Sequence, residues 1–285
     1  MNWFKSQDGR GFLLALPAIF WLGVFFILPL FTIVVISFMS RGAGGVAELP
    51  YTLAHYDRTF GVFSVILIRS IRIASITTIV CLFIGYPLAF FISTRKNRNF
   101  QNLCLFFIIL PFWTNFLVRT YAWRILLGDA GTINAILLSW GWIEEPLRLL
   151  NTEFAVLVGL IYGFFPFMVL PIYASIERFD FKFVDAAHDL GANDWTTFWR
   201  VVFPMTLPGV LAGSALVFIP SVGAFITPDL LGGTRGLMIG NLISRQFGGS
   251  GNMPLGSALS VVMMAVVLLT LLVYVRFGIN REGDD

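Results

Sequence analysis

The chain has 285 residues, of which 57% are hydrophobic and 12% charged, with a formal net charge of +3 and a mean hydropathy of +0.83. A water-soluble domain of this length cannot hide so much apolar surface in one core, so the composition excludes a soluble globular protein. The small positive charge is divided among the borders of apolar stretches, which excludes an ordinary basic nucleic-acid surface.

The first apolar stretch covers residues 12–38. It is too long for the apolar part of a secretory leader and is interrupted by Pro17 and Pro29, so it is expected to be retained as a membrane helix. Further stretches follow at 64–93, 100–127, 153–176, 207–230 and 255–277. Each is long enough, at about 1.5 Å per residue, to cross about 30 Å of hydrocarbon with tilt or interfacial extension. Six spanning helices are therefore expected, giving an all-α polytopic membrane protein with one transmembrane domain over residues 1–285. Pro87, Pro111, Pro166, Pro171 and Pro220 fall within these stretches, where a missing backbone donor bends a span or opens a carbonyl.

Charge placement sets the orientation. With both termini cytoplasmic, the inner side receives Lys5, Arg10, Arg95, Lys96, Arg98, Arg178, Lys182, Arg200, Arg276 and Arg281, ten of the 19 basic residues and all three lysines. On the outer side, residues 41–63 carry a glycine-rich start, Pro50, Tyr51 and Tyr56. In residues 128–152 the apolar spacing of TINAILLSWGWIEEPL predicts a short interfacial helix ending near Gly141. Residues 231–254 are rich in glycine and carry Arg235 and Arg245. These outer segments either hold a partner or only connect and seal the helices.

Enzyme chemistry is weakly represented. There is no glycine-rich phosphate loop with a following Lys and Ser/Thr, so the chain is not expected to bind ATP in that way. His55 and His188 fall on opposite sides of the membrane, and Cys81 and Cys104 lie in different apolar stretches, so no zinc set forms. The cysteines read as small core residues, and no nucleophile or acid/base constellation appears.

The most informative segment is the inner run DAAHDLGANDWTTFWRVVFPMTLPG, from Asp185 to Gly209. Residues 185–199 can form a helix in which Ala186 and Ala187 favour the fold and Asp185 and Asp189 suit early positions. Gly191 is expected to permit close approach of another surface, at a propensity cost of about 1 kcal/mol. Ala187, Leu190, Trp195, Phe198 and Val202 are placed to pack on the bundle or on a partner, and Pro204 and Pro208 mark entry into the fifth span. By residue physics alone, a simple connector helix explains the segment equally well.

Asp185, Ala186, Ala187, Gly191, Ala192, Phe198 and Pro204 resemble the EAA motif of permease subunits of binding-protein-dependent ABC importers, with Asp185 in place of the usual initial Glu. The resemblance implies a type I importer permease fold in which residues 177–204 carry a coupling helix seated in a groove of an ATPase subunit. Asp185, Ala186, Ala187, Asp189, Gly191, Phe198 and Pro204 are the residues it points to. Likeness extends over essentially the whole chain. It includes LPFWTNFLVRTYAW at 110–123 and PSVGAFITPDLLGG at 220–233, which resemble the spermidine/putrescine type within that family. The implied partners are a second homologous permease, two ATPases and a periplasmic polyamine-binding protein, with lipids around the bundle. ATP and Mg are expected in the ATPases, no cofactor and no catalysis in this chain, and the implied location is a bacterial inner membrane.

For the cargo route, Trp113, Thr114, Asn115, Phe116, Tyr121 and Trp123 are candidates, because aromatic faces attract ammonium groups and amides or hydroxyls orient them. Asp229 is a candidate ammonium partner, with a helix cap or ion pair as the alternative. Arg119 and Arg124 oppose a polycation route if they face it, and are expected instead to pair with carboxylates such as Asp129 or Glu153. A permease for another small solute, a stand-alone secondary transporter and a membrane assembly subunit without a cargo path stay open as alternatives.

Overall fold

The computed structural model describes residues 7–248 and 251–278. Lys5 and Arg281, counted among the inner basic residues, lie outside the described residues. Thirteen α-helices and one small sheet are present among the described residues, and the chain divides into two compact units. One comprises Met1–Ser64 with Ile243–Met264; the other comprises Val65–Leu242 with Ala265–Asp285.

In the first unit, α1 (Gln7–Leu22) and α2 (Leu28–Ser37) are joined by a π-helical turn, Gly23–Ile27. Its wider i→i+5 bonding ends two residues before Pro29, whose missing N–H and bulky ring a regular turn accommodates poorly. The span Ala15–Ser37 leaves Phe20, Trp21, Phe25 and Phe26 exposed, as a helix facing lipid or a partner does. A hairpin absent from the sequence expectation follows: β1 (Met39–Arg41) pairs antiparallel with β2 (Ala47–Tyr51). Strands of three and five residues are too short to show a clear alternation. Then α3 (Ala54–Phe60) folds back so that Tyr56 Oη lies 2.7 Å from Ser37 Oγ and buries His55 and Thr59.

The second unit is a helical bundle. Its long helices are α4 (Ser64–Ser93) and α8 (Glu153–Glu177), and Pro87, Pro166 and Pro171 sit within these uninterrupted helices. Thr152 caps α8 by accepting a hydrogen bond from the Ala155 amide at 3.2 Å. Against α8 packs α11 (Phe203–Val222), and the two form a core with α4 built from Cys81, Ala89, Ile92, Met168, Ile172, Ile176 and Val217. Gly209 and Gly213 make this approach possible. A Cβ at Gly209 would stand 2.5 Å from Ser175 Cβ, and one at Gly213 would stand 3.0 Å from the Met168 carbonyl oxygen. The pair forms a G-x-x-x-G spacing in which only glycine lets two backbones come so close.

Two expected spans take a different form. Residues 100–127 were expected to form one helix; instead α5 (Arg98–Ile109) runs through a 3-10 turn, Leu110–Trp113, and breaks before α6 (Phe116–Leu126), with an angle of 92° between the two arms. Pro111 weakens the turn, and extended Thr114 and Asn115 let the Asn115 side chain accept the Leu117 amide at 2.8 Å, starting a new helix. The span expected at 207–230 runs as Asp194–Val222. Its start, α10 (Asp194–Thr197), joins α11 through a π-helical turn, Phe198–Val202, which again ends two residues before a proline, Pro204. Its end gives way to a separate turn, Pro228–Gly232, while the Asn241 side-chain amide donates to the Phe225 carbonyl at 2.9 Å.

The outer segments are packed structure more than open loop. The interfacial helix appears as α7 (Thr132–Ser139), ended by Gly141 at φ +71°. Buried Asn134 donates to the carbonyls of Gly128, Asp129 and Leu147 and accepts from the Leu147 amide, which satisfies both ends of its side chain. In the segment expected as a third loop, Met238 and Ile239 are fully buried, and the Ile239 amide, at the start of α12 (Ile239–Gln246), donates to Ser70 Oγ at 2.7 Å. The final helix, α13, covers Met253–Gly278.

Candidate functional site

The run from Asp185 onward forms two helices rather than one. The first, α9 (Lys182–Asp189), begins where Asp180 Oδ1 accepts the Lys182 amide at 3.0 Å. It stops at Leu190 because Gly191 turns left-handed at φ +85°. The Ala192 amide then donates to Ala187 O at 3.0 Å and the Gly191 amide to His188 O at 2.8 Å, the two bonds of a Schellman cap. A Cβ on Gly191 meets nothing within 4 Å, so inside this chain the position needs glycine for backbone handedness and not for space. This corrects the single helix expected over 185–199.

Beyond the cap, Asn193 Oδ1 accepts the Thr196 amide at 2.8 Å and opens α10, while His188 Nε2 lies 3.2 Å from Asp194 Oδ1 across the turn. The apolar residues of the segment divide by destination. Phe198 packs edge-on to Tyr86 with ring centroids 5.6 Å apart, and Val202 is buried, tying the start of the long helix to α4. Tyr86 Oη lies 2.8 Å from Thr206 Oγ1 in the same buried contact. Leu190, in contrast, is 90% exposed and Trp195 71% exposed, and Asp185, Ala186, Asp189 and Gly191 are exposed beside them. Ala187 is half-buried. Pro204 does not end the segment: it sits in the first turn of α11, directly after the π turn. The segment thus presents an unpartnered polar and apolar face on α9 and fastens α10 to the bundle.

The six aromatic and polar candidates of residues 113–123 do not converge on one cavity of this chain. Trp113 is 74% exposed and Tyr121 49% exposed. Thr114 and Asn115 spend their side chains on the break itself, Thr114 Oγ1 donating to Pro111 O at 2.7 Å. Phe116 lies against α8 near Gly163, and Trp123 packs edge-on to Tyr162 at 5.5 Å. Asp229 is exposed at the start of its turn, with its Oδ1 3.5 Å from the Asn241 amide nitrogen.

The arginines also part from expectation. Glu153 pairs with Arg69 at 3.4 Å and with Arg72 at 2.5 Å, two residues three apart on α4 and hence on one face of that helix. Arg119 has no carboxylate partner among the described residues; its guanidinium lies 5.0 Å from the Phe112 ring centroid and 5.7 Å from that of Phe116. Arg124 makes no ion pair there either. The bend between α5 and α6 places both arginines on an arm that a straight span would not have had. Among the described residues, no group of three or more His, Cys, Asp or Glu side chains is arranged to hold a metal.

Sequence reading missed Gly209 and Gly213, although their four-residue spacing in an apolar run is visible, and missed the Tyr86–Thr206 contact, which nothing local announces.

Comparison with known proteins accounts for this architecture. Residues 82–281 match the family described as binding-protein-dependent transport system inner membrane component. A spermidine/putrescine transport system permease protein PotB of Haemophilus influenzae is 40% identical over 262 residues, covering 92% of this chain and 91% of that protein. The Escherichia coli protein of the same description is 41% identical over 257 residues, covering 90% and 93%. Among solved structures, a chain of a bacterial alginate ABC transporter in complex with an alginate pentasaccharide-bound periplasmic protein superposes with a TM-score of 0.70 at 18% identity, over 96% of each chain, a likeness of fold. The chain therefore belongs to the binding-protein-dependent transport system inner membrane component family, as a multi-pass, inner-membrane permease subunit of an ABC importer.

Proposed function

We propose that this permease carries polyamines, spermidine or putrescine, delivered by a periplasmic binding protein, through a route it forms with a second homologous permease. The observation that supports this reading most is the 40–41% identity to spermidine/putrescine permeases over at least nine-tenths of each chain. Two ATPase subunits on the cytoplasmic side, where both termini of this chain lie, bind ATP and Mg; this chain hydrolyses nothing.

Coupling runs through α9. Asp185, Ala186, Ala187, Asp189 and Gly191 seat it in the ATPase groove, and exposed Leu190 and Trp195 supply apolar surface worth about 1.5–3 kcal/mol each when buried. Movement of α9 passes across the Gly191 cap into the helix Asp194–Val222. Phe198 and Pro204 hold that helix at its angle to the bundle, the former through Tyr86. Energy reaches the membrane only if this element has two arrangements that ATPase closure and opening favour differently. Of the cargo candidates, Trp113, which packs edge-on with Phe106, and Tyr121 offer exposed aromatic surface to an ammonium group, with Asp229 as a carboxylate near the outer end. Thr114, Asn115, Phe116 and Trp123 shape the bent pair that presents them.

The test is ATP hydrolysis and vesicle uptake measured together after reconstitution with the second permease and the ATPases, with spermidine-loaded binding protein outside. Spermidine-dependent hydrolysis with inward accumulation, lost when this permease is omitted, is the expected result. An intact assembly that stays silent with spermidine and putrescine yet responds to another solute would overturn the polyamine assignment. Uptake driven by an ion gradient without ATPases would overturn the coupling scheme.

A further inference from the structure

A groove of about 430 Å³ opens between the last turns of α8, the start of α9 and the first turns of α11, all within the second unit. Its walls change character along the helices. Pro171 and Ala174 of α8, with Pro208 and Ala212 of α11, line one end, inside the spans Glu153–Glu177 and Asp194–Val222. Arg178 lines the other end, directly after α8 and about 10 Å along the helix axis from Pro171 at 1.5 Å per residue. The charges at this end do not cancel. Glu177 pairs with Arg98 at 2.6 Å. Asp180, which also lines the groove, has Oδ2 3.7 Å from Lys182 Nζ, and its Oδ1 accepts the Lys182 amide. The hydroxyl of Ser175 donates to the Thr206 carbonyl at 3.4 Å. The Arg178 side chain makes no ion pair or hydrogen bond among the described residues. One guanidinium is therefore left without a counter-charge where an apolar cleft reaches the membrane border.

The geometry points to a headgroup site for an anionic phospholipid of the inner leaflet. This inference rests on the proposed orientation, in which the side carrying α9 is cytoplasmic. A guanidinium donates two parallel N–H bonds to a phosphate, and cations at the cytoplasmic border of a span attract anionic lipids. The order of groups fits as well. A phospholipid whose phosphate sits on Arg178 sends its acyl chains towards the bilayer centre, along the wall of proline and alanine. A soluble phosphate would leave that wall uncovered, and a carboxylate from a neighbouring subunit carries only a short apolar stem. The groove also includes Phe183 of α9, so the bound lipid touches the proposed coupling helix and α11 together.

The test titrates the complete assembly, purified and delipidated in detergent, with phosphatidylglycerol and reads bound lipid and subunit pairing by native mass spectrometry. Arg178→Gln is expected to weaken binding of phosphatidylglycerol about fivefold, the loss of one juxtamembrane cation. Arg178→Lys keeps the charge and should recover most of the affinity. Arg95→Gln removes an inner cation outside the groove and should change nothing. Phosphatidylcholine bound equally well, or an equal loss in Arg95→Gln, would mean diffuse attraction and sink the assignment. Inorganic phosphate that displaces the lipid at similar concentration in an Arg178-dependent manner would show an anion site and no lipid site. Arg178→Gln that separates the two permeases while leaving lipid affinity intact would give the groove to the second permease. The orientation is tested apart from this, by labelling Arg178→Cys in intact cells with a membrane-impermeant thiol reagent. Labelling from outside defeats the orientation and the choice of leaflet, while Arg178-dependent lipid binding would still stand.

Discussion

Replacing Gly191 separates two physical reasons for a glycine in the proposed coupling segment. Its φ of +85° lies in the left-handed region, where a residue with a Cβ costs about 1–2 kcal/mol, and Asn tolerates that region better than Ala. No atom of this chain lies within 4 Å of an added Cβ, so there is no steric contribution to the free permease. Gly191→Ala is therefore expected to open the Schellman cap about five- to thirtyfold more often, and Gly191→Asn distinctly less. Hydrogen exchange at the Gly191 and Ala192 amides reads the opening directly, since both donate in the cap. Binding of the ATPases and cargo-stimulated hydrolysis, at matched membrane abundance and permease pairing, should follow the order Gly, Asn, Ala. If close seating in the ATPase groove were the dominant requirement, the larger Asn would be worse than Ala. Observing the order Gly, Ala, Asn in ATPase binding would refute the backbone argument.

Gly213→Leu should separate α8 from α11, because even a Cβ there stands 3.0 Å from the Met168 carbonyl oxygen; a loss of about 1–3 kcal/mol or more and reduced membrane abundance are expected, and normal thermal stability would contradict the packing described. Glu153→Gln leaves Arg69 and Arg72 without their shared carboxylate, and because all three side chains are at least a quarter exposed the cost is held to about 1 kcal/mol in a thermal shift. Glu153→Lys gathers three cations and should cost clearly more; equal stability of the two variants would show that the cluster does not matter. Burial lowers the pKa of His55 below its usual 6.5, aided by nearby Arg58 and opposed by the backbone at Met39. The unfolded state therefore binds this proton first, so the stability contributed by neutral His55 is complete above pH 6.5 and is lost as pH falls below it. Protease resistance of residues 39–60 should drop between pH 7.5 and pH 5, and His55→Gln should flatten the change; a wild-type protein equally resistant at both values would rule this out.

The expectation for the third span shows where reading along the chain reaches its limit. Hydropathy over 100–127 is continuous, and Pro111 alone does not distinguish a mild kink from a 92° break, since Pro87, Pro166 and Pro171 sit in uninterrupted helices. What differs is that Thr114 and Asn115 bond their own turn and close one helix while opening the next. The likeness of Asp185 to Pro204 to the EAA motif was legible because its Ala, Gly, Phe and Pro spacing is a local pattern. The reason for Gly191 was not, because handedness is a property of backbone angles.

By itself the sequence determined the membrane class and the approximate positions of the spans, since a bilayer imposes length and apolarity on each span separately. Only the tertiary structure decided the rest: which arginines meet Glu153 across 81 residues of sequence or more, and how Tyr86 reaches Thr206 across 120. These contacts join side chains from different helices, and their partners are fixed by how the helices rotate and bend against one another, a property that no single stretch of chain carries.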